Sequence, residues 1–222
     1  MVSEALPHTR LLMLLLASTL IILLWSNIAP KDQLTWFMEV APVLIALPLL
    51  TYTWQSFPLT PLLYKLIFIH AVILMVGGHY TYAEVPAGFW FQEQFDLQRN
   101  HYDRLGHFAQ GFAPAILARE ILLRKTFLHT GKMLFYIVTS ICLALSAFYE
   151  LIEWWAALLY GSTAEAFLAT QGDIWDTQWD MFIALIGSIS AQLLLSKRHD
   201  RQLEKLGPEP NDIIILPGLF KS

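Results

Sequence analysis

Six stretches of this sequence are each long and apolar enough to cross a bilayer, and they leave little chain for anything else. A hydrocarbon core of ~30 Å needs about 20 mostly apolar residues in a helix. The stretches run roughly over Leu11–Ile28, Leu34–Trp54, Leu59–Tyr80, Tyr102–Ala118, Lys132–Tyr160 and Asp176–Ser196. The expected fold is therefore all-α, a polytopic transmembrane helical bundle of about six spans. With 56% hydrophobic and only 14% charged residues over 222 positions, a soluble domain would expose too much apolar surface.

Residues 1–206 read as one integral-membrane domain. Residues 207–222, with GPEP and then an apolar IIIL, read as a cytoplasmic tail. Arg10 ahead of the first apolar stretch imitates a signal peptide. That stretch is long, however, and Pro30 directly follows Ala29, a poor cleavage position, so it reads as an uncleaved first helix. The net charge of −4 gives no footing for nucleic acid. The lone Cys142 allows no intrachain disulfide and sits in a hydrophobic run.

Basic residues set the orientation, because they favour the cytoplasmic side. Arg119, Arg124, Lys125 and Lys132 cluster between the fourth and fifth stretches, and Lys197, Arg198, Arg201 and Lys205 follow the sixth. Gly161 to Trp175 contains no Lys or Arg. Six crossings then put both termini in the cytoplasm and the opposite face in the periplasm of a bacterial inner membrane. The lipid bilayer is the one certain partner. The aromatic residues of Thr81–His101 suit the headgroup layer, so residues 81–101 read either as an interfacial or re-entrant helix or as an ordinary outer loop.

The unusual feature is the acids. Asp103, Glu150, Glu153, Asp176 and Asp180 fall inside or at the edge of these spans, with His107 among them. Charge in hydrocarbon costs a few kcal/mol per group, and an intramembrane ionisable residue is by default a functional candidate. At ~1.5 Å per residue from the basic ends, Asp103 lies ~24 Å up, His107 ~18 Å, Glu150 ~27 Å, Asp180 ~26 Å, His79 ~27 Å and Glu39 ~24 Å. Five helices thus bring polar groups to one layer in the outer half of the bilayer. Residues three or four apart share a helical face. Asp103, His107, Gln110 and Pro114 make one stripe. Glu150 and Glu153 make a second. Asp176 and Asp180 head a third, above Ala184, Gly187 and Ala191. Small residues let membrane helices approach closely, so the three acidic faces are expected to meet around a polar cavity open to the outside.

Plainer roles compete at some positions. Asp173 and Asp176 lie near the water boundary, where helix starts use acids, Asp176 as an N-cap. Glu39 reads as interfacial and His70 as a hydrogen-bonded core histidine. Tyr80, Tyr82, Trp154, Trp155, Trp175 and Trp179 read first as an aromatic belt.

The strings NHYDRLGHFAQGFAPAILARE (Asn100–Glu120), FYELIEWW (Phe148–Trp155) and GDIWDTQWD (Gly172–Asp180) resemble the signature stretches of the YjdF-like family. Those are small bacterial inner-membrane proteins, and the resemblance covers about Trp36 to Gln192. It implies a multi-helix inner-membrane protein and supplies no activity. A weaker resemblance links DRLGHF (Asp103–Phe108), YELIE (Tyr149–Glu153) and the Asp176, Asp180 and Gly187 positions to the VanZ-like proteins. Asp180 departs from that pattern, where those proteins tend to carry an amide. The analogy hints at work on envelope lipids or sugars.

Five carboxylates in one low-dielectric pocket cannot all ionise uncompensated. Three readings follow. The first is a divalent-metal-dependent enzyme at the outer leaflet, with Asp103, His107, Glu150 and Asp180 as ligands to Mg²⁺, Mn²⁺ or Zn²⁺. Glu153 and Asp176 would then serve as catalytic carboxylates. The second is a non-enzymatic protein that binds an envelope lipid or another cationic ligand. The third is a proton-coupled transporter, disfavoured because the polar groups stop in the outer half and no internal repeat is visible.

Overall fold

A computed structural model describes residues 8–161 and 165–206. In chain order these form α1 (Thr9–Ser26), α2 (Gln33–Thr53), α3 (Pro61–Tyr80), a 3-10 turn (Tyr82–Glu84), α4 (Pro86–Gln94), α5 (Tyr102–Lys125), α6 (Lys132–Tyr160), α7 (Glu165–Leu168) and α8 (Asp176–Leu206). No strand occurs among the described residues. The expected tail at 207–222 lies outside them.

Helix starts follow from local chemistry. Asp32 caps α2 by accepting from the Thr35 amide at 2.7 Å. Thr60 caps α3 through the Leu63 amide, with Pro61 at the first helical position, where its missing N–H costs nothing.

Five helices, α1, α2, α3, α6 and α8, are long and apolar enough to cross a membrane. α5 is long enough, at ~36 Å, but carries Asp103, Arg104, Arg119, Glu120, Arg124 and Lys125. It lies in the bundle interior against α3, α6 and α8, where its polar groups meet protein. Its start pairs with the start of α8 through Arg104 and Asp176, and its later part meets the start of α3 through Glu120 and Thr60. α5 therefore traverses the bundle beside the apolar spans. Both α5 and α8 run further than the sequence suggests, to Lys125 and Leu206.

The extra turns are tied together by a buried network that the sequence reading did not find. Glu120 and His199 are fully buried, and His199 Nε2 lies 2.9 Å from Glu120 Oε2. Arg119 donates to His199 Nδ1 at 2.8 Å, so Nδ1 is the acceptor and Nε2 carries the proton. Glu120 also accepts from the Thr60 hydroxyl at 2.8 Å and from Arg124 at 2.8 Å. Gln202 of α8 accepts from the Leu62 amide of α3. Because Leu12 and Leu16 of α1 share a groove with Trp54 and Tyr64, α1 begins at this same, basic end of the bundle.

The α5–α8 seam is the tightest contact in the fold. A Cβ added at Gly111 would stand 1.8 Å from the Ala184 carbonyl oxygen, and one at Gly187 would stand 2.2 Å from that of Phe108. Small residues thus bring two backbones together, as membrane helix interfaces favour. Residues 81–101 fold as the 3-10 turn and α4, at the opposite, acidic end. Phe89, Trp90 and Phe91 of α4 are exposed. Buried Asn100 fastens this segment by donating to the Val85 carbonyl at 3.0 Å and accepting from the Tyr102 amide at 3.0 Å.

Candidate functional site

At the acidic end, α5, α6 and α8 bring Asp103, His107, Glu150, Glu153 and Asp180 together, all buried. His107 is the hub. Its Nε2 faces Asp103 Oδ1 at 3.4 Å and Asp180 Oδ1 at 3.7 Å. Its Nδ1 lies 3.0 Å from Gln110 Oε1 and 3.9 Å from Glu150 Oε1. An amide oxygen only accepts, so Nδ1 carries a proton in this arrangement and Nε2 is the nitrogen turned toward the two aspartates. Potential ligand atoms of Asp103, His107 and Asp180 all lie within 4.8 Å of one another, as do those of His107, Glu150 and Glu153. Asp103 Oδ2 and Glu150 Oε1 are buried with no hydrogen-bond partner. Buried polar atoms are rarely left so.

Asp176 stands apart from His107. Its Oδ1 receives Arg99 at 2.8 Å and Arg104 at 2.9 Å, while Asp173 Oδ2 receives the same two guanidiniums at 3.3 and 3.2 Å. Arg104 also binds Asp180 Oδ1 directly. Arg99 reaches the Ala169 carbonyl as well, which ties the α7–α8 connection to the site. Asp176 is thus a buried ion-paired group, neither a solvated helix-start residue nor an N-cap. The cap-like acid is Asp173, whose Oδ1 accepts from the Trp175 amide at 2.9 Å. Two arginines serve three aspartates because each guanidinium presents its five donors as a fork. His101, just ahead of α5, has its pKa lowered by burial first and then by Arg99 and Arg104, so it stays neutral and adds no positive charge.

Other residues belong to the site although the sequence pointed to other roles for them. Glu39 is buried and accepts from the Tyr149 hydroxyl at 3.1 Å. Its computed depth matched the acid layer, and that was the available signal. Tyr82 is not in an aromatic belt but buried. Its ring fills the space left by Gly77 and Gly106, where an added Cβ would come within 2.2 and 2.6 Å of it. Trp154, Trp155, Trp175 and Trp179 are exposed, as a belt requires. His70 has an unpartnered Nε2 and faces a cavity of about 230 Å³ with Glu39, Tyr82, Asp103, His107 and Glu153. Phe167 of α7 packs on Tyr149, one wall of this cavity. Phe167 is buried against Ala156, Met38 and Tyr149.

A family model described as "Predicted membrane protein (DUF2238)" matches residues 11–201. The chain belongs to the DUF2238 family. Among DUF2238-type relatives, it is 56% identical over 187 residues to the inner membrane protein YjdF of Escherichia coli strain K12, covering 84% of this chain and 90% of that protein. The likeness to the YjdF-like proteins is thereby borne out, and the chain is a multi-pass protein of the bacterial inner membrane. The weaker likeness to the VanZ-like proteins is not shown by either match. No solved structure matches the chain.

Proposed function

We propose that this DUF2238 protein holds a divalent cation at Asp103, His107 and Asp180, on the periplasmic side, and acts there on lipid or sugar headgroups of the cell envelope. The observation that carries this reading is the setting of His107 Nε2, with a carboxylate oxygen at 3.4 Å on one side and another at 3.7 Å on the other. Ligands about 2.1 Å from a shared tetrahedral ion stand ~3.4 Å apart, so these atoms are close to the required separation. The unpartnered Asp103 Oδ2 and Glu150 Oε1 supply free oxygens on either side of the ring. An O,O,N donor set suits Zn²⁺ or Mn²⁺, and Mg²⁺ if water completes its shell. The hydrogen bond from His107 Nδ1 to Gln110 orients the imidazole, as the outer partner of a metal-bound histidine does.

A bound ion would polarise a phosphoryl or ester oxygen and activate water. Glu150 and Glu153 sit on the opposite edge of His107, with Glu153 facing the cavity, and Glu153 is the candidate general base. The Arg99–Arg104 pair holds Asp176 and Asp173, so Asp176 positions Arg104 and through it Asp180. Orientation follows the basic end, which we place in the cytoplasm together with both termini.

The test is metal content of the purified, detergent-solubilised protein by mass spectrometry. We expect near-equimolar Zn²⁺ or Mn²⁺ in the natural sequence, with loss in His107→Ala, Asp103→Asn and Asp180→Asn. Protein that carries no metal and binds none on titration would overturn the reading. Full complementation by Asp180→Asn would favour the non-enzymatic binding role instead.

A further inference from the structure

The cavity at the acid cluster has a second property that a metal site does not need. Its polar head is Glu39, Tyr82, Asp103, His107, Tyr149 and Glu153. Below that head its walls are mostly apolar, with Pro42, Leu74, Pro114, Leu145 and Phe148, and with Gln110 and His70 as the polar exceptions. Along α5 the lining runs from Asp103 to Pro114, ~16 Å of helix. A volume of about 230 Å³ drawn out over that length is a narrow slot.

The slot faces the bilayer. α2 packs on α3, and α6 packs on α5 and α8, but α2 and α6 do not pack on each other along their lengths. Tyr149 bridges them to Glu39 near the acidic end, and Phe167 of α7 lies over that bridge. Lower down, Leu145 is 48% and Phe148 52% exposed, on the perimeter where these spans meet lipid tails. A molecule that is apolar at one end and polar at the other can enter between α2 and α6 without leaving the membrane.

Charge selects its head. The ion pairs of Arg99 and Arg104 go to Asp173, Asp176 and Asp180, on the α8 side. Among the residues that line the slot, Asp103 Oδ2 and His70 Nε2 are buried and unpartnered, and Glu39 and Glu153 line it as well. A primary ammonium brings one positive charge and three donors to such a group of acceptors. A trimethylammonium brings charge without donors, and an anionic headgroup would be repelled.

We propose that the slot between α2 and α6 is a lateral entry site for an amine-bearing phospholipid of the phosphatidylethanolamine class, with its ammonium at Glu39, Asp103 and Glu153 and its upper acyl chain along Leu145 and Phe148. The proposal uses the same acid cluster as the metal reading but does not require the ion.

The full chain is reconstituted in nanodiscs of phosphatidylcholine carrying a trace of phosphatidylethanolamine with a photoactivatable acyl chain. Adducts are then mapped by peptide mass spectrometry. Adducts at Pro42, Leu145 and Phe148 should exceed those at Ile45 and Tyr52, more exposed positions on α2, by about five-fold or more. Unlabelled phosphatidylethanolamine should compete, and phosphatidylglycerol should not. Leu145→Trp, a change at an exposed position that leaves folding intact, should remove the enrichment while metal content stays unchanged. Asp180→Asn should do the reverse, so the two readings fail separately. The double variant Glu39→Gln, Glu153→Gln should abolish the preference over phosphatidylglycerol. Adducts spread evenly around the helices, equal competition by both lipids, or cross-links to a second copy of the chain at Leu145 and Phe148 would each overturn the proposal.

Discussion

Replacing Gly111 by alanine adds one methyl group, yet it should reach both the stability and the site. The new Cβ would stand 1.8 Å from the Ala184 carbonyl oxygen, with the Ala184 carbonyl carbon and Cα within 3 Å. All three are backbone atoms of α8, so no side chain can swing away. Ordinary contact begins near 3.4 Å, so α5 and α8 must separate locally by about 1.6 Å. A gap of 0.5–1 Å already forfeits about a quarter to a half of each dispersion contact, so the seam loses most of its packing there. The usual overpacking cost is about 1–3 kcal/mol, and a backbone clash belongs at the upper end. At about 2–4 °C per kcal/mol for a chain of this size, ~3 kcal/mol lowers the Tm by ~6–12 °C.

The same displacement acts on the acids, because Asp180 lies one turn above Ala184 on α8. Widening its 3.7 Å distance to His107 by that amount gives about 5 Å, whereas two ligands of one ion at ~2.1 Å cannot be more than ~4.2 Å apart. Thermal unfolding followed by tryptophan fluorescence in detergent, together with metal content, reads both effects. Leu193→Ala, at a 72% exposed position of α8, is the control that should change neither. If Gly111→Ala unfolds within about 1 °C of the natural sequence, the close seam is wrong, and with it the placement of Asp180.

Two further outcomes are expected. Glu120→Ala removes the acceptor shared by Thr60, Arg124 and His199, and loss of one partner from a buried ionic network costs about 3–5 kcal/mol. Glu120→Gln should cost less, and a thermal shift no larger than that of Leu193→Ala would refute the network. For orientation, green fluorescent protein fused after Leu206 should fluoresce, and alkaline phosphatase fused there should be inactive. Fusions after Asp96 should behave oppositely, and the reverse pattern would invert the bundle.

The layer of acids was legible in the sequence because helical rise is nearly invariant. Counting residues from Arg119, Lys132 and Lys197 was enough to bring Asp103, Glu150 and Asp180 to one level, and the buried cluster around His107 agrees. The small-residue seam was legible for the same reason, since Gly187 recurs at helical spacing below Asp180. Rotation and loop paths were not. Nothing in the spacing of Arg99 and Arg104 says that both turn toward α8, because Asp173 and the Ala169 carbonyl come from a connection that folds back over the bundle end. Tyr82 follows an aromatic neighbour at a membrane boundary and reads as belt. Only the pairing of Gly77 on α3 with Gly106 on α5 opens the space that buries it. Glu120 and His199 lie past the expected span ends at Ala118 and Ser196, in charged turns of the kind that usually face water.

The charge count that first singled out these acids can now be divided in space. On the α8 side, Asp173, Asp176 and Asp180 share two guanidiniums, a buried network that is close to balanced. On the slot side, Glu39, Asp103 and Glu153 line the cavity with one histidine, His107, which also has Glu150 at 3.9 Å, and neutral His101 contributes nothing. Low dielectric magnifies that imbalance, since two charges at a given distance interact more strongly there than in water. The compensating charge is therefore needed between α2, α5 and α6, not at the start of α8. An ammonium at Glu39 and Glu153 falls in that region, and a cation at His107 Nε2 lies at its border with Asp180 of α8. Asp103 is common to both, but the ion also needs Asp180 and the ammonium also needs Glu39 and Glu153, so each can be removed by substitutions that leave the other in place.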